Sequence, residues 1–242
     1  MSALLEVTGL SKSFGAVVVA NETSFEVPQG AAIGILGPNG AGKTSLFNLI
    51  TGALSADQGC IRFDGQDITR IGAASRCRLG IARSFQVPHP FVGMTVFENA
   101  LVGATEGAGL RGHAAEAHVL DVLEQTGLLP KANVRAGTLT LLERKRLEMA
   151  RALAAKPKLL LLDEIAGGLT EAECTSLIET IQTVHKAGTT IVWIEHVVHA
   201  LLAVVDRLIV IDFGKKIAEG DPKAIMNSAE VKEIYLGVDP DV

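Results

Sequence analysis

Eight consecutive residues, Gly37-Pro38-Asn39-Gly40-Ala41-Gly42-Lys43-Thr44, narrow what this chain can fold into more than any other stretch of it. They fit the P-loop pattern, a glycine, four residues and then Gly-Lys-Thr, without exception. Ahead of them Ala32 to Leu36 is almost wholly apolar and reads as a strand buried on both faces; behind them, residues 44 to 52 read as a helix. Backbone N–H groups of a glycine-rich loop can wrap a phosphate because no Cβ blocks the approach, and the following helix adds its positive end. Lys43 is expected to neutralise β- and γ-phosphates and Thr44 to offer its hydroxyl to Mg²⁺, with Ser45 counted among the nucleotide contacts.

A second site-forming segment lies far along the chain. Leu159 to Leu162 reads as another buried strand, and Asp163-Glu164 follows at its C-terminal end, where open α/β sheets place their ligands. Asp163 is expected to hold the metal through water. Glu164 is expected to orient and deprotonate an attacking water.

Between and around these segments, short strands are read at Leu4 to Val7, Val17 to Ala20, Phe25 to Val27, Gly59 to Asp64, Thr190 to Ile194 and Arg207 to Ile211. Mostly apolar strands separated by helical patterns imply a parallel sheet. From Val87 to about Ala150 no strand pattern is found, only Pro- and Gly-containing loops and helices such as Ala114 to Thr126, where Ala115, Val119, Val122 and Leu123 share one face. A further helix is read from Glu171 to Ala187, opened by the capping box Thr170/Glu173 and closed by Gly188. The organisation expected is a nucleotide-binding core in two parts, 1–86 and 151–242, interrupted by a helical insertion at 87–150.

Composition sets limits on partners. The hydrophobic fraction is 48%, yet no run approaches the roughly 20 apolar residues of a spanning helix, so no direct membrane insertion is expected. A formal charge of −5 without a dense Lys/Arg stripe argues against nucleic acid. The N-terminal residues show neither a basic n-region nor a cleavage pattern, and the chain is expected to be cytosolic. Cys60, Cys77 and Cys174 have no paired or metal-type spacing and read as buried small hydrophobes.

With these residues in place the chain resembles the ABC ATPase family over essentially its whole length. The resemblance implies a P-loop NTPase (RecA-like) α/β fold, with a parallel-sheet core, an N-terminal antiparallel β layer and an inserted α-helical subdomain. It implies ATP and Mg²⁺ as cofactors. Phe14, in Ser13-Phe14-Gly15, lies where the family stacks an aromatic on adenine, a core Phe being the other reading. Gln86, in Arg83-Ser84-Phe85-Gln86, matches the glutamine loop, a further metal ligand and γ-phosphate sensor. His196, in Trp193-Ile194-Glu195-His196, matches the switch histidine; His199 lacks a third ligand and is not read as a metal site.

Longer stretches resemble the ATPases of branched-chain amino-acid uptake systems: Gly80 to Gln86, Met94-Thr95-Val96-Phe97-Glu98-Asn99, and Lys216-Ile217-Ala218-Glu219-Gly220 through Tyr235-Leu236-Gly237. Lipopolysaccharide-export ATPases share a similar size and ending and form the alternative within the family. A soluble P-loop phosphotransferase and a regulatory module that holds ATP without hydrolysing it are the alternatives outside transport.

Departures from the family pattern are concentrated in one place. Where the family has Leu-Ser-Gly-Gly-Gln, this chain has Leu139-Thr140-Leu141-Leu142-Glu143, with a helix read from Arg144 to Leu153. Thr140 keeps the hydroxyl, but leucines replace both glycines, and Glu143 puts negative charge where a partner's γ-phosphate is expected unless something neutralises it. Ile165 stands for the usual proline and Thr170 for an aspartate. By resemblance two ATPase subunits pair head to tail, peripheral on the inner face of the cell membrane, docked through the helical insertions on transmembrane permease subunits. The altered signature favours a heterodimer over a homodimer.

Overall fold

The computed structural model describes residues 3–236, with the backbone alone at 233–236; Gly237 of the tail lies outside the described residues. The chain divides into two compact units, residues 1–72 with 192–242, and residues 73–191.

In the first unit, β1 (Ala3–Phe14) and β2 (Val17–Pro28) form a long antiparallel pair. β4 (Gln58–Phe63) pairs antiparallel with the other edge of β1, and the short β5 (Gln66–Asp67) follows, giving the order β2-β1-β4-β5. Alternate residues Leu5, Val7, Ile61 and Phe63 are buried, the pattern of a sheet with one face on a core. β2 is one strand where the sequence reads as two. The polar stretch Asn21-Glu22-Thr23 stays in the ladder through an irregularity in register, Glu22 lying at φ +51. Two hydroxyls occupy backbone donors around it: Ser11 Oγ accepts from Glu22 N at 3.0 Å and Ser24 Oγ from Gly9 N at 2.8 Å.

The same unit holds β3 (Ala32–Leu36), every residue of which is buried, running parallel to β9 (Arg207–Asp212). β10 (Lys215–Gly220) closes an antiparallel hairpin on β9 through Phe213-Gly214. The sequence pattern does not reveal β10, because an edge strand of charged and small residues has no buried face to print on it. α1 (Lys43–Thr51) buries Leu46, Phe47, Leu49 and Ile50, and α7 (Val198–Leu202), α8 (Pro222–Asn227) and α9 (Ala229–Leu236) complete the unit. β8 (Thr190–Ile194), wholly buried, is the strand on which the chain passes from the second unit to the first.

In the second unit, α2 (Ala73–Leu79) leads into β6 (Ile81–Ser84), which runs parallel to β7 (Leu159–Asp163). β6 is absent from the sequence reading; it is four residues long and carries an arginine in its middle. α3 (Val96–Val102), a π-helical turn at Gly103–Gly107, α4 (Gly112–Gln125) and α5 (Leu141–Ala154) pack together, burying Ala100, Ala104, Ala115, Val119, Leu123, Leu147 and Ala150. Between residues 87 and 150 the only β pairing among the described residues is an isolated bridge between Thr95 and Arg135. α6 (Glu171–Lys186) buries Cys174, Leu177, Ile181 and Val184 on one stripe. Its capping box is formed: Thr170 Oγ1 accepts from Glu173 N, and Glu173 Oε2 accepts from Thr170 N at 2.9 Å.

The cysteines depart from expectation. Cys174 is buried, but Cys60 and Cys77 are half-buried. Cys60 sits beside the Thr69 hydroxyl at the sheet margin, and burial pushes the Cys77 thiol up against the opposing influence of Arg78.

Candidate functional site

In the first unit β3 delivers the chain into the loop Gly37 to Gly42 and α1 takes it away. Two of the glycines are required by contact. A Cβ on Gly37 would lie 2.1 Å from the Ile211 carbonyl oxygen, and one on Gly42, already at φ +97, would lie 2.1 Å from that of Val19. α1 starts at Gly42 without a side-chain cap and with no acidic residue in its first turn. The positive end of the helix is therefore not satisfied by any side chain of its own cap. Lys43 is buried, its ammonium donating to the carbonyl oxygens of Gly37 at 2.7 Å and Pro38 at 2.9 Å. That holds a positive charge inside the curl of the loop. Ala41 is buried; Asn39, Gly40 and Thr44 are exposed, and Pro38 and Ser45 are half-exposed.

Phe14, at the end of β1, is 53% exposed, which removes the reading of it as a core residue. The Lys12 ammonium lies 5.4 Å from its ring centroid and is itself paired with Asp57 at 2.6 Å. Asp57 also accepts from Ser13 N at 2.9 Å, and these two hydrogen bonds hold its carboxyl below the usual range. The exposed aromatic is thus pinned at its base. His196 follows β8 and is exposed, its backbone N–H donating at 2.9 Å to Glu195 Oε2. Glu195 is buried, and the sequence reading gave it no role.

In the second unit all five residues of β7 are buried and Asp163, the last, is 1% exposed. Arg83, on β6, donates from Nη2 to Asp163 Oδ2 in a buried ion pair that the sequence reading did not foresee. The available signal was an arginine inside an otherwise small and apolar strand. Glu164 is half-buried at φ +47, a backbone conformation that costs a non-glycine residue about 1–3 kcal/mol and is concentrated at functional sites. Gln86, exposed, donates from Nε2 to Glu164 Oε2 at 2.5 Å. Gln86, Asp163 and Glu164 are therefore brought together, with Arg83 as a fourth member. Ile165, in place of the family proline, is buried and packs in the core.

The segment 139–143 does something different. Thr140 is the N-cap of α5, which starts at Leu141, earlier than the sequence suggests because Thr140 and Glu143 form a capping box. Thr140 Oγ1 accepts from Glu143 N, and Glu143 Oε2 accepts from Thr140 N at 2.9 Å. Lys131 donates to Glu143 Oε1. Burial alone would push the Glu143 carboxyl up; the hydrogen bonds from Lys131 and Thr140 outweigh it and hold the group below the usual carboxylate range. The negative charge flagged in the sequence is thus neutralised internally. Leu141 is 43% exposed and Leu142 half-buried.

A family model described as ABC transporter matches residues 20–167. The chain belongs to the ABC transporter family. A second model, described as branched-chain amino acid ATP-binding cassette transporter, matches residues 215–241. The high-affinity branched-chain amino acid transport ATP-binding protein BraF of Pseudomonas aeruginosa is 34% identical, over 97% of this chain and 98% of that protein. The LivG protein of the same description from Escherichia coli K12 is also 34% identical, with the same two coverages. Among solved structures, the ADP conformation of an ATP-binding cassette of an ABC transporter superposes with TM-score 0.89 at 31% identity, covering 98% of this chain and 100% of that one. The chain is accordingly an ATP-binding, ATP-hydrolysing ABC transporter subunit with the cassette fold. Among the described residues no helix is long and apolar enough to cross a membrane.

Proposed function

We propose that this ABC ATPase drives an importer for branched-chain or related amino acids from the inner face of the cell membrane. In this reading it is paired with a second, non-identical ATPase subunit and docked on transmembrane permease subunits through its helical insertion, residues 87–150. The observation that carries the substrate class is the tail. Residues 215–241 match the branched-chain family model and lie outside every nucleotide-contacting segment, so ATP chemistry alone does not account for the likeness. The full-length similarity to BraF and LivG points the same way and favours import over lipopolysaccharide-type export.

Each residue has a role in this reading. Phe14 stacks on adenine. Gly37 to Ser45 wrap the phosphates, with Lys43 leaving the loop carbonyls to neutralise the β- and γ-phosphates. The Thr44 hydroxyl, the Asp163 carboxylate and the Gln86 side-chain oxygen are hard donors that suit Mg²⁺. Mg²⁺ would be held by these few side chains together with water and phosphate. When bound, Mg²⁺ supplies charge neutralisation to the phosphates. Glu164 takes the proton of the attacking water, Gln86 holds Glu164 in place beforehand, and His196 contacts the γ-phosphate. Thr140 to Glu143 face the partner's ATP; because Glu143 already occupies the start of α5, we read that contact as weakened and the pair as asymmetric.

Co-purification from membranes with identification of the bound subunits tests this reading. Recovery with a distinct ATPase carrying Leu-Ser-Gly-Gly-Gln and with permease subunits is expected, together with uptake of leucine, isoleucine or valine that depends on the chain. Recovery as a homodimer without permeases would overturn it.

A further inference from the structure

In Arg83-Ser84-Phe85-Gln86 the two ends each take one of the adjacent carboxylates: Arg83 takes Asp163 and Gln86 takes Glu164. The glutamine belongs to the family pattern, whereas the arginine has no role in the mechanism above. We propose that Arg83 is a positioning residue that supplies, in the chain alone, the positive charge Asp163 requires, so that Mg²⁺ has to compete with its guanidinium for that carboxylate. This rests on the proposed role of Asp163 as metal ligand.

The strand geometry imposes the need. β7 carries four leucines and then Asp163, all buried, so an ionised carboxylate is put where it has little access to water. A buried charge of this kind is tolerated only when paired and hydrogen-bonded. The parallel register sets Arg83 opposite Leu161, two residues short of the aspartate, and its side chain reaches forward to Oδ2. The pair is well shielded, the side chains being 6% and 2% exposed. Phe85 flanks it, its ring centroid 5.0 Å from the guanidinium carbon. An arginine and a divalent cation that draw on one carboxylate oppose each other, and by linkage each lowers the affinity of the carboxylate for the other.

An ion pair serving stability alone would weaken the fold when removed and leave metal dependence unchanged. Competition makes a second, separate prediction. ATP affinity of the purified full-length chain is measured with Mg²⁺ and with EDTA for wild type, Arg83→Gln and Arg83→Lys, alongside thermal unfolding of each. The ratio of the dissociation constant in EDTA to that in Mg²⁺ should be about fivefold or more larger in Arg83→Gln than in wild type, at the low end of typical coupling between sites. It should stay near wild type in Arg83→Lys, which keeps the charge. Unfolding temperature without metal should fall in Arg83→Gln, and the deficit should narrow with Mg²⁺ and ATP. Arg83→Met, which keeps the aliphatic stem, is the neutral variant that decides if the glutamine variant does not fold. An unchanged or smaller ratio in the neutral variants, with a clear Mg²⁺ dependence in wild type, overturns the role of Arg83 alone. No Mg²⁺ dependence in wild type removes the metal reading and this inference together.

Discussion

Two helices of this chain begin with the device that binds phosphate in many proteins, and they treat it in opposite ways. α1 opens at Gly42 with no side-chain cap and no acidic residue in its first turn, after a loop in which Gly37 and Gly42 are enforced by carbonyl oxygens 2.1 Å from where a Cβ would sit. α5 opens at Thr140 with a complete capping box, and Glu143 places its own carboxylate against the Thr140 N–H while Lys131 balances its charge. The first terminus offers a positive end to an external anion; the second has already satisfied it from within. A helix terminus thus binds a ligand or stabilises its own fold according to what its first three residues are.

The largest effect expected concerns the chemistry at the P-loop of this chain. Glu164→Gln should bind ATP as the wild type does and lose about 10² to 10⁴ in single-turnover hydrolysis, because the amide keeps the shape without accepting the water's proton. Turnover within a few-fold of wild type would take Glu164 out of that role.

The contrast between the two termini is tested most directly in the assembled transporter. Lys43→Ala should abolish most transport-coupled hydrolysis, whereas alanine at the partner's P-loop lysine should cost clearly less if, as proposed, that site is completed by Thr140 to Glu143. Equal losses, or the reverse ranking, would show that a self-capped α5 serves a partner's ATP as well as a glycine-lined signature does.

Phe14→Ala should weaken adenine-nucleotide binding by roughly 1–3 kcal/mol, the magnitude of base stacking on an aromatic ring, with Phe14→Tyr nearly silent in the same titration. Since the ring is exposed, the unfolding temperature should hardly move. A drop in stability with unchanged binding would reverse the assignment.

The smallest effect lies at the other terminus. Glu143→Ala should destabilise the chain by about 0.3–1.5 kcal/mol in urea unfolding at neutral pH, the usual worth of a helix-terminal device, and leave ATP binding to this chain's own P-loop intact. The folded carboxyl is held below its ordinary value, so its contribution is fully present above the unfolded pKa and is lost as pH falls through the folded one. The difference between variant and wild type should therefore shrink at acid pH; a constant difference would assign the effect to packing.

Much of this molecule is legible in its residues because the local physics is strong. A five-residue apolar run before Gly37 and a run of four leucines before Asp163 can be little other than buried strands, and Thr170-x-x-Glu173 can cap a helix without help from the rest of the chain. The P-loop is legible for the same reason, since its spacing carries its geometry. β6 and β10 are not: β6 is four residues long and its partner lies far away in sequence, and β10 is a charged edge strand with no buried face to mark it. Nor does periodicity reveal which charge answers which: Arg83 reaches Asp163 across 80 residues and Lys131 reaches Glu143 across 12. The sequence by itself determined most of the elements and the P-loop and Asp163-Glu164 inventory of the site, because hydrophobic patterning and capping act over a few residues. Only the tertiary structure decided that Asp163 is held by an arginine and that the start of α5 is filled by its own glutamate, because the pairing of buried charges depends on where the backbone brings them.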